Sequence, residues 1–222
     1  MPDTGTTNID TRGMVSIHNA LRRALSDAPA QLAAVPEGPK QAEHFVDYLN
    51  EVLWLAGAHH DTEEELLSPV LKKRAPEQKS AWSLIGAQHQ AVTSCLETVA
   101  EAAERFATTG SADAKRALTN ACHALYEILD QHFSVEEKHV LPVAAKVMTS
   151  TEWGTMSVTM LAHYSGTRPW LPFGLVHEAM PPDLQKALLA HVPEPVSDMW
   201  VSRGADAYAK EMATIRVTDS RG

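Results

Sequence analysis

Two stretches of this 222-residue chain share one frame: His59-x-x-x-Glu63 with Pro69 six residues past the glutamate, and His132-x-x-x-Glu136 with Pro142 six past. Four residues make about one helical turn, so each pair sets an imidazole and a carboxylate on the same helix face. One earlier histidine precedes each pair on an apolar stripe, His18 by 41 residues and His89 by 43. The chain therefore reads as a duplicated helical hairpin, each copy supplying a histidine and then His-x-x-x-Glu.

At about 100° per residue, His18 shares its face with Met14, Leu21, Leu25 and Leu32, and His59 with Val52, Leu55, Leu66 and Val70. His89 falls with Ile85, Val92 and Leu96, and His132 with Leu125, Ile128, Leu129 and Val143. All four histidines thus point into a helical interior. A lone histidine on an apolar stripe is usually core packing. Four in register with two glutamates are not, because a buried carboxylate is costly without a counter-charge. A metal centre supplies that charge, and four helices converging on His and Glu side chains are how bundles build di-metal sites.

His60-x-x-x-Glu64 has the same spacing as His59-x-x-x-Glu63. The proline offset selects His59 and Glu63, because Pro142 lies six residues past Glu136 as Pro69 lies six past Glu63. His60 and Glu64 then rotate about 100° away, which predicts support for the ligands from behind or a helix interface. His139 is a further candidate for such support. His44, His123, His163, His177 and His191 read as surface or packing residues.

The residues His18, His59-His60-Asp61-Thr62-Glu63-Glu64, His89 and His132-Phe133-Ser134-Val135-Glu136-Glu137, with both prolines, resemble the hemerythrin-like, or HHE cation-binding, family over residues 12–148. The resemblance implies an all-α, antiparallel up-down four-helix bundle holding two non-haem iron ions, with His18, His59, Glu63, His89, His132 and Glu136 as ligands. Such domains carry oxygen, sense oxygen or iron, repair iron centres, or process nitric oxide and peroxide. Oxygen carriers of the family have a fifth histidine one turn after the third-helix ligand, where this chain has Thr93.

Two octahedral irons need roughly twelve donors. Four histidines, two bridging glutamates and one oxo bridge leave about two positions open, which favours an oxidoreductase acting on hydrogen peroxide, nitric oxide or dioxygen over reversible storage. A non-catalytic oxygen or iron sensor and a di-iron oxidase of an organic substrate are the alternatives. Imidazole with carboxylate suits iron or manganese better than structural zinc, which prefers thiolates. The two cysteines, Cys95 and Cys122, have no zinc-like spacing.

A net charge of -9 and a pI near 5.6 argue against a nucleic-acid surface. No apolar run reaches the roughly 20 residues needed to span a bilayer, and no signal peptide is seen. Two isolated cysteines suit a reducing compartment, so a cytoplasmic protein is expected.

Asp10 or Thr11 is placed to cap a first helix reaching about residue 34. A second should run from 41 to 74 with a kink near Pro69, a third should open at Pro76, and a fourth should follow the turn at 108–111 and run to about 148. Either the prolines bend their helices below the metal site, or Pro69 merely ends one. Residues 151–222 are a proline-punctuated helical extension, with helices expected around 151–163, 183–191 and 196–215. Trp153, Trp170, Phe173 and Trp200 there need cover, from the bundle or from a second subunit in a homodimer.

Overall fold

The computed structural model describes residues 9–216, among which every regular element is helical and no strand occurs. Helix α1 (Arg12–Ala34) opens where the Arg12 amide donates to Asp10 Oδ1 at 3.0 Å, so Asp10 rather than Thr11 provides the side-chain cap. Helix α2 (Pro39–Thr62) continues through a wide π-turn, Glu63–Leu67, into the short α3 (Ser68–Arg74). Pro76 starts a single 3₁₀ turn, Pro76–Gln78, and α4 (Lys79–Thr109) follows. Ser111 caps α5 (Ala112–Val135), which passes through a second π-turn, Glu136–Val140, into α6 (Leu141–Val147).

The long helices close a ring, with α1 against α2, α2 against α4, α4 against α5, and α5 against α1. Gly110 makes one end of that ring tight. It ends α4 in the left-handed conformation, at φ 57°, and its carbonyl accepts from the Gly38 amide at 3.1 Å. A Cβ at Gly110 would lie 2.1 Å from the Gly38 backbone, so no other residue fits.

The expected single helices over 41–74 and 112–148 are interrupted at equivalent places, each π-turn beginning at the glutamate of a His-x-x-x-Glu pair. In these turns the Ser68 amide donates to the Glu63 carbonyl and the Leu141 amide to the Glu136 carbonyl, five residues back instead of four. Pro69 and Pro142 follow one residue later. A proline ring in a regular helix collides with the carbonyl four residues back and leaves it without a donor. Widening the preceding turn relieves that collision.

The C-terminal segment lies on the bundle. It comprises α7 (Ser150–Ala162), α8 (Trp170–Ala179), α9 (Pro182–His191), α10 (Glu194–Met199), a π-turn Trp200–Gly204, and α11 (Ala205–Ile215). The expected helix over 196–215 is thus split by its own π-turn. Helix α8 was not anticipated, because Pro169 and Pro172 read as breakers. Both fall at its start, where the missing amides are not needed. It packs on α1 and α2, and its Leu171, Phe173, Leu175 and Val176 join Trp200, Tyr208 and Met212 in the same apolar core as α1, α2, α4 and α5.

That core is one of two apolar clusters. The other gathers Met14, Leu67, Leu71, Trp82, Ile85, Val140 and Leu141 around α3 and α6. Along each long helix the sequence passes from one cluster to the other, and His18, His59, His89 and His132 each stand at the crossing. The polar site is therefore a buried layer between two dry ones.

Candidate metal centre

All six sequence-predicted residues come together. His18, His59, Glu63, His89, His132 and Glu136 are buried, none more than 6% exposed. His18, His59, Glu63 and Glu136 form one group of mutually close donor atoms. His60, Glu63, His89 and His132 form a second.

Both carboxylates reach from one group to the other. Glu63 sets Oε1 3.6 Å from His59 Nε2 and Oε2 3.5 Å from His89 Nε2. Glu136 sets Oε2 3.4 Å from the Nε2 of both His18 and His132, with Oε1 3.9 Å from His89 Nε2. These separations are electrostatic contacts rather than hydrogen bonds. Six buried atoms of the centre have no hydrogen-bond partner among the described residues: His60, His89 and His132 Nε2, both Glu63 oxygens, and Glu136 Oε2. Orphaned donors and acceptors so concentrated are rare in folded proteins, and a cation satisfies them together. The His18 and His59 Nε2 atoms lie 3.2 Å apart. Two imidazoles at right angles on one ion, about 2.1 Å away, would place theirs at about 3 Å.

The ionisation of the protein groups is correspondingly perturbed. Burial, then the neighbouring Glu136, pushes the Glu63 carboxyl up to about 8. Burial, helped by other imidazoles, holds His60 down at about 3 and His132 at about 2, and drives His59 well below its ordinary value. Burial also opposes charge on His89, but Glu136 and Glu63 outweigh it and push this imidazole up to about 10. Clustered shifts in opposite directions mark a functional site more often than a packed core.

Around this layer, protein acceptors fix the imidazoles. His18 Nδ1 donates to Glu137 Oε1 at 2.9 Å, and Glu137 is held by Arg22 at 2.6 Å. His89 Nδ1 donates to Glu64 Oε1 at 2.6 Å, His132 Nδ1 to Gln88 Oε1 at 3.3 Å, and His60 Nδ1 to the Ala56 carbonyl at 2.6 Å. Carboxylate and carbonyl oxygens only accept, so each of these Nδ1 atoms carries a proton and Nε2 is the nitrogen turned to the centre. Glu64 thus supports a ligand candidate from behind, as expected. Glu137 was not singled out, although the Glu-Glu doublet in both copies carries the signal.

His60 departs from expectation. It is 5% exposed, and its ring lies 5.1 Å from that of His89 and 5.0 Å from that of His132. The inward arc of a helix exceeds 100°, so neighbouring residues can straddle its midline and both face inward. His59 turns to His18, and His60 to His89 and His132. One residue past His132, the second copy has Phe133 instead, stacked on His18 at 4.1 Å. The two groups are therefore unequal, one with three imidazoles and one with two.

Thr93 is exposed, and its hydroxyl donates to the His89 carbonyl at 3.0 Å. The fifth imidazole comes from α2 instead of α4. His139 is also exposed, because it lies within the π-turn Glu136–Val140, which spoils its seven-residue register with His132. His163 and His123 are exposed as well, while His177 packs against Phe173 and Trp200. Both cysteines are free and in neither group, and burial pushes Cys122 up to about 12. No helix among the described residues is long and apolar enough to cross a membrane.

Comparison with curated proteins finds no match, and comparison with solved structures finds none. A family model described as the hemerythrin HHE cation binding domain matches residues 10–145, a span that contains all seven residues of the two groups. With that match over more than half its length, the chain belongs to the hemerythrin HHE cation-binding family.

Proposed function

We propose that this protein holds a non-haem di-iron centre and acts as an oxidoreductase on small oxidants, hydrogen peroxide foremost, with nitric oxide and dioxygen as alternatives. The observation that carries the reading is the pair of buried donor groups sharing Glu63, with six atoms that no group among the described residues satisfies. His18, His59, Glu63 and Glu136 would hold one ion, and His60, Glu63, His89 and His132 the other. The all-nitrogen-and-oxygen donor set fits iron better than a thiolate-seeking metal. Bound there, the irons would supply the electron transfer that amino-acid side chains lack.

The chain's own residues do the rest. Glu137, Glu64, Gln88 and the Ala56 carbonyl hold the Nδ1 protons, so these four imidazoles are already turned with Nε2 toward the centre. Phe133, fully buried against His18, helps keep water from that side. A groove lined by Glu64, Lys72, Lys79, Gln90 and Thr93 together with Pro76, Trp82 and Ala87 reaches His89 and offers small molecules a way in.

Peroxide is the simplest test, because one molecule reduced to water while a second is oxidised to dioxygen needs no other reductant. Iron-loaded protein should contain about two irons per chain and evolve oxygen from peroxide faster than the same amount of free iron. Iron near one per chain, or oxygen evolution no faster than free iron, would overturn the reading.

A further inference from the structure

A cavity of about 300 Å³ lies between α1 and α2 on one side and α7, α8, α9 and α10 on the other. Its wall includes Trp54, Trp153, Met156, Phe173 and Val176, and among the described residues no Asp, Glu, Lys, Arg, Asn or Gln lines it. Of its few polar groups, Thr62 spends its hydroxyl proton on the Ala58 carbonyl, and the Tyr164 hydroxyl donates to Glu51 and accepts from the Arg168 amide. Ser157 is exposed, at the rim. Apart from the Trp54 and Trp153 indoles, His59 is the remaining polar side chain among the described lining residues. Its Nε2 belongs to the metal-site cluster, so the rest of the ring forms the cavity wall. Among the described residues its Nδ1 makes no hydrogen bond, unlike that of the other four site histidines.

A void of this size is not ordinary packing, since protein interiors leave few gaps larger than a water. Here it is braced open. The Trp54 and Tyr164 rings meet edge-on at 4.7 Å, and Arg168 ties the loop before α8 to the Asp47 carbonyl and to Glu211. Five of the eight methionines line it, so its walls adapt to shape and select by polarity and volume. At the roughly 30 Å³ that a water fills in the liquid, it has room for about ten non-hydrogen atoms.

We propose that this cavity binds an uncharged, apolar organic molecule of about ten non-hydrogen atoms and holds it against the two-imidazole, His18–His59 side of the centre. Two access routes would then reach one site from different faces. Small polar oxidants enter by the groove at His89, and the apolar molecule by the cavity at His59. The inference rests on the proposed function only in treating His59 as part of a metal centre.

The probe is a series of straight-chain alcohols, from hexanol to decanol, titrated into the full-length, iron-loaded protein. Fluorescence of Trp54 and Trp153 and the optical spectrum of the metal are both recorded. Affinity should rise about fourfold per added methylene and level off near decanol. Decanoate, which is charged, should bind at least tenfold more weakly. Ser157→Trp at the rim and Met160→Trp in the wall should each abolish binding with iron content unchanged. Should Met160→Trp fail to fold, the exposed Ser157 site still decides.

Decanol binding that also shifts the metal spectrum supports the proposal. No saturable binding, equal affinity for decanoate, or binding untouched by Ser157→Trp would overturn it. If decanol binds by fluorescence but the protein holds no iron pair, the proposed function fails and the cavity assignment stands. If iron is present and peroxide is turned over but no alcohol binds, the reverse holds.

Discussion

Glu64 accepts the Nδ1 proton of His89 at 2.6 Å, across 25 residues and from the opposite half of the repeat. Glu137 does the same for His18 at 2.9 Å, across 119 residues. Each half of the duplication thus orients the leading histidine of the other. Neither hairpin can assemble its part of the centre alone.

Removing these supports should weaken metal binding without removing a ligand. Glu64→Ala and Glu137→Ala should each lose about 10- to 100-fold in iron affinity, measured by chelator competition. Glutamine at either position should lose less, since its carbonyl still accepts, as Gln88 does for His132. Wild-type affinity in both alanine variants would refute the cross-half support.

His60→Phe makes the first copy resemble the second, where Phe133 stands at the equivalent place. Iron content should fall from about two toward one per chain, read by elemental analysis. Thr93→His should change little, because that position is exposed and the third imidazole is already supplied from α2. Full iron in His60→Phe would return His60 to a supporting role.

Acid should loosen the C-terminal segment before the bundle. Arg216 above all, then the Tyr208 hydroxyl, holds the Glu178 carboxyl down at about 2, and Arg23 of α1 lies 3.2 Å away. A lowered carboxylate value means that this contribution to stability is whole above the unfolded value, about 4.3, and is lost as pH falls toward 2. Trp200 fluorescence followed from pH 6 to 2 should report the change, and Glu178→Gln should flatten its pH dependence. An identical titration in that variant would place the acid-sensitive contact elsewhere.

Packing of α8 on α11 leaves no room at Gly174, where a Cβ would meet the Tyr208 ring at 2.3 Å. Gly174→Ala should therefore destabilise the fold by about 1–3 kcal/mol through overpacking, although alanine is the better helix former. Leu171→Ala, which empties a fully buried site on the same helix, should cost about 2–5 kcal/mol. Urea denaturation of both variants checks the values.

The periodicity of apolar residues, the paired His-x-x-x-Glu frames and the placement of turn residues were enough to read an all-α chain and to pick out six of the seven residues that the fold gathers into the two donor groups. Those features are local, since a helix face follows from spacing within one element. His60 escaped because face arithmetic treats inwardness as a line, whereas a helix inside a bundle has two neighbours and an arc between them. The π-turns at Glu63 and Glu136 escaped because a proline marks strain but not how the backbone absorbs it. Helix α8 was hidden by its own prolines, which are harmless at a first turn. Only the tertiary structure could bring Glu64 to His89, Glu137 to His18 and an apolar cavity to the back of His59. Each of these joins residues from different helices, and their meeting depends on how whole helices pack.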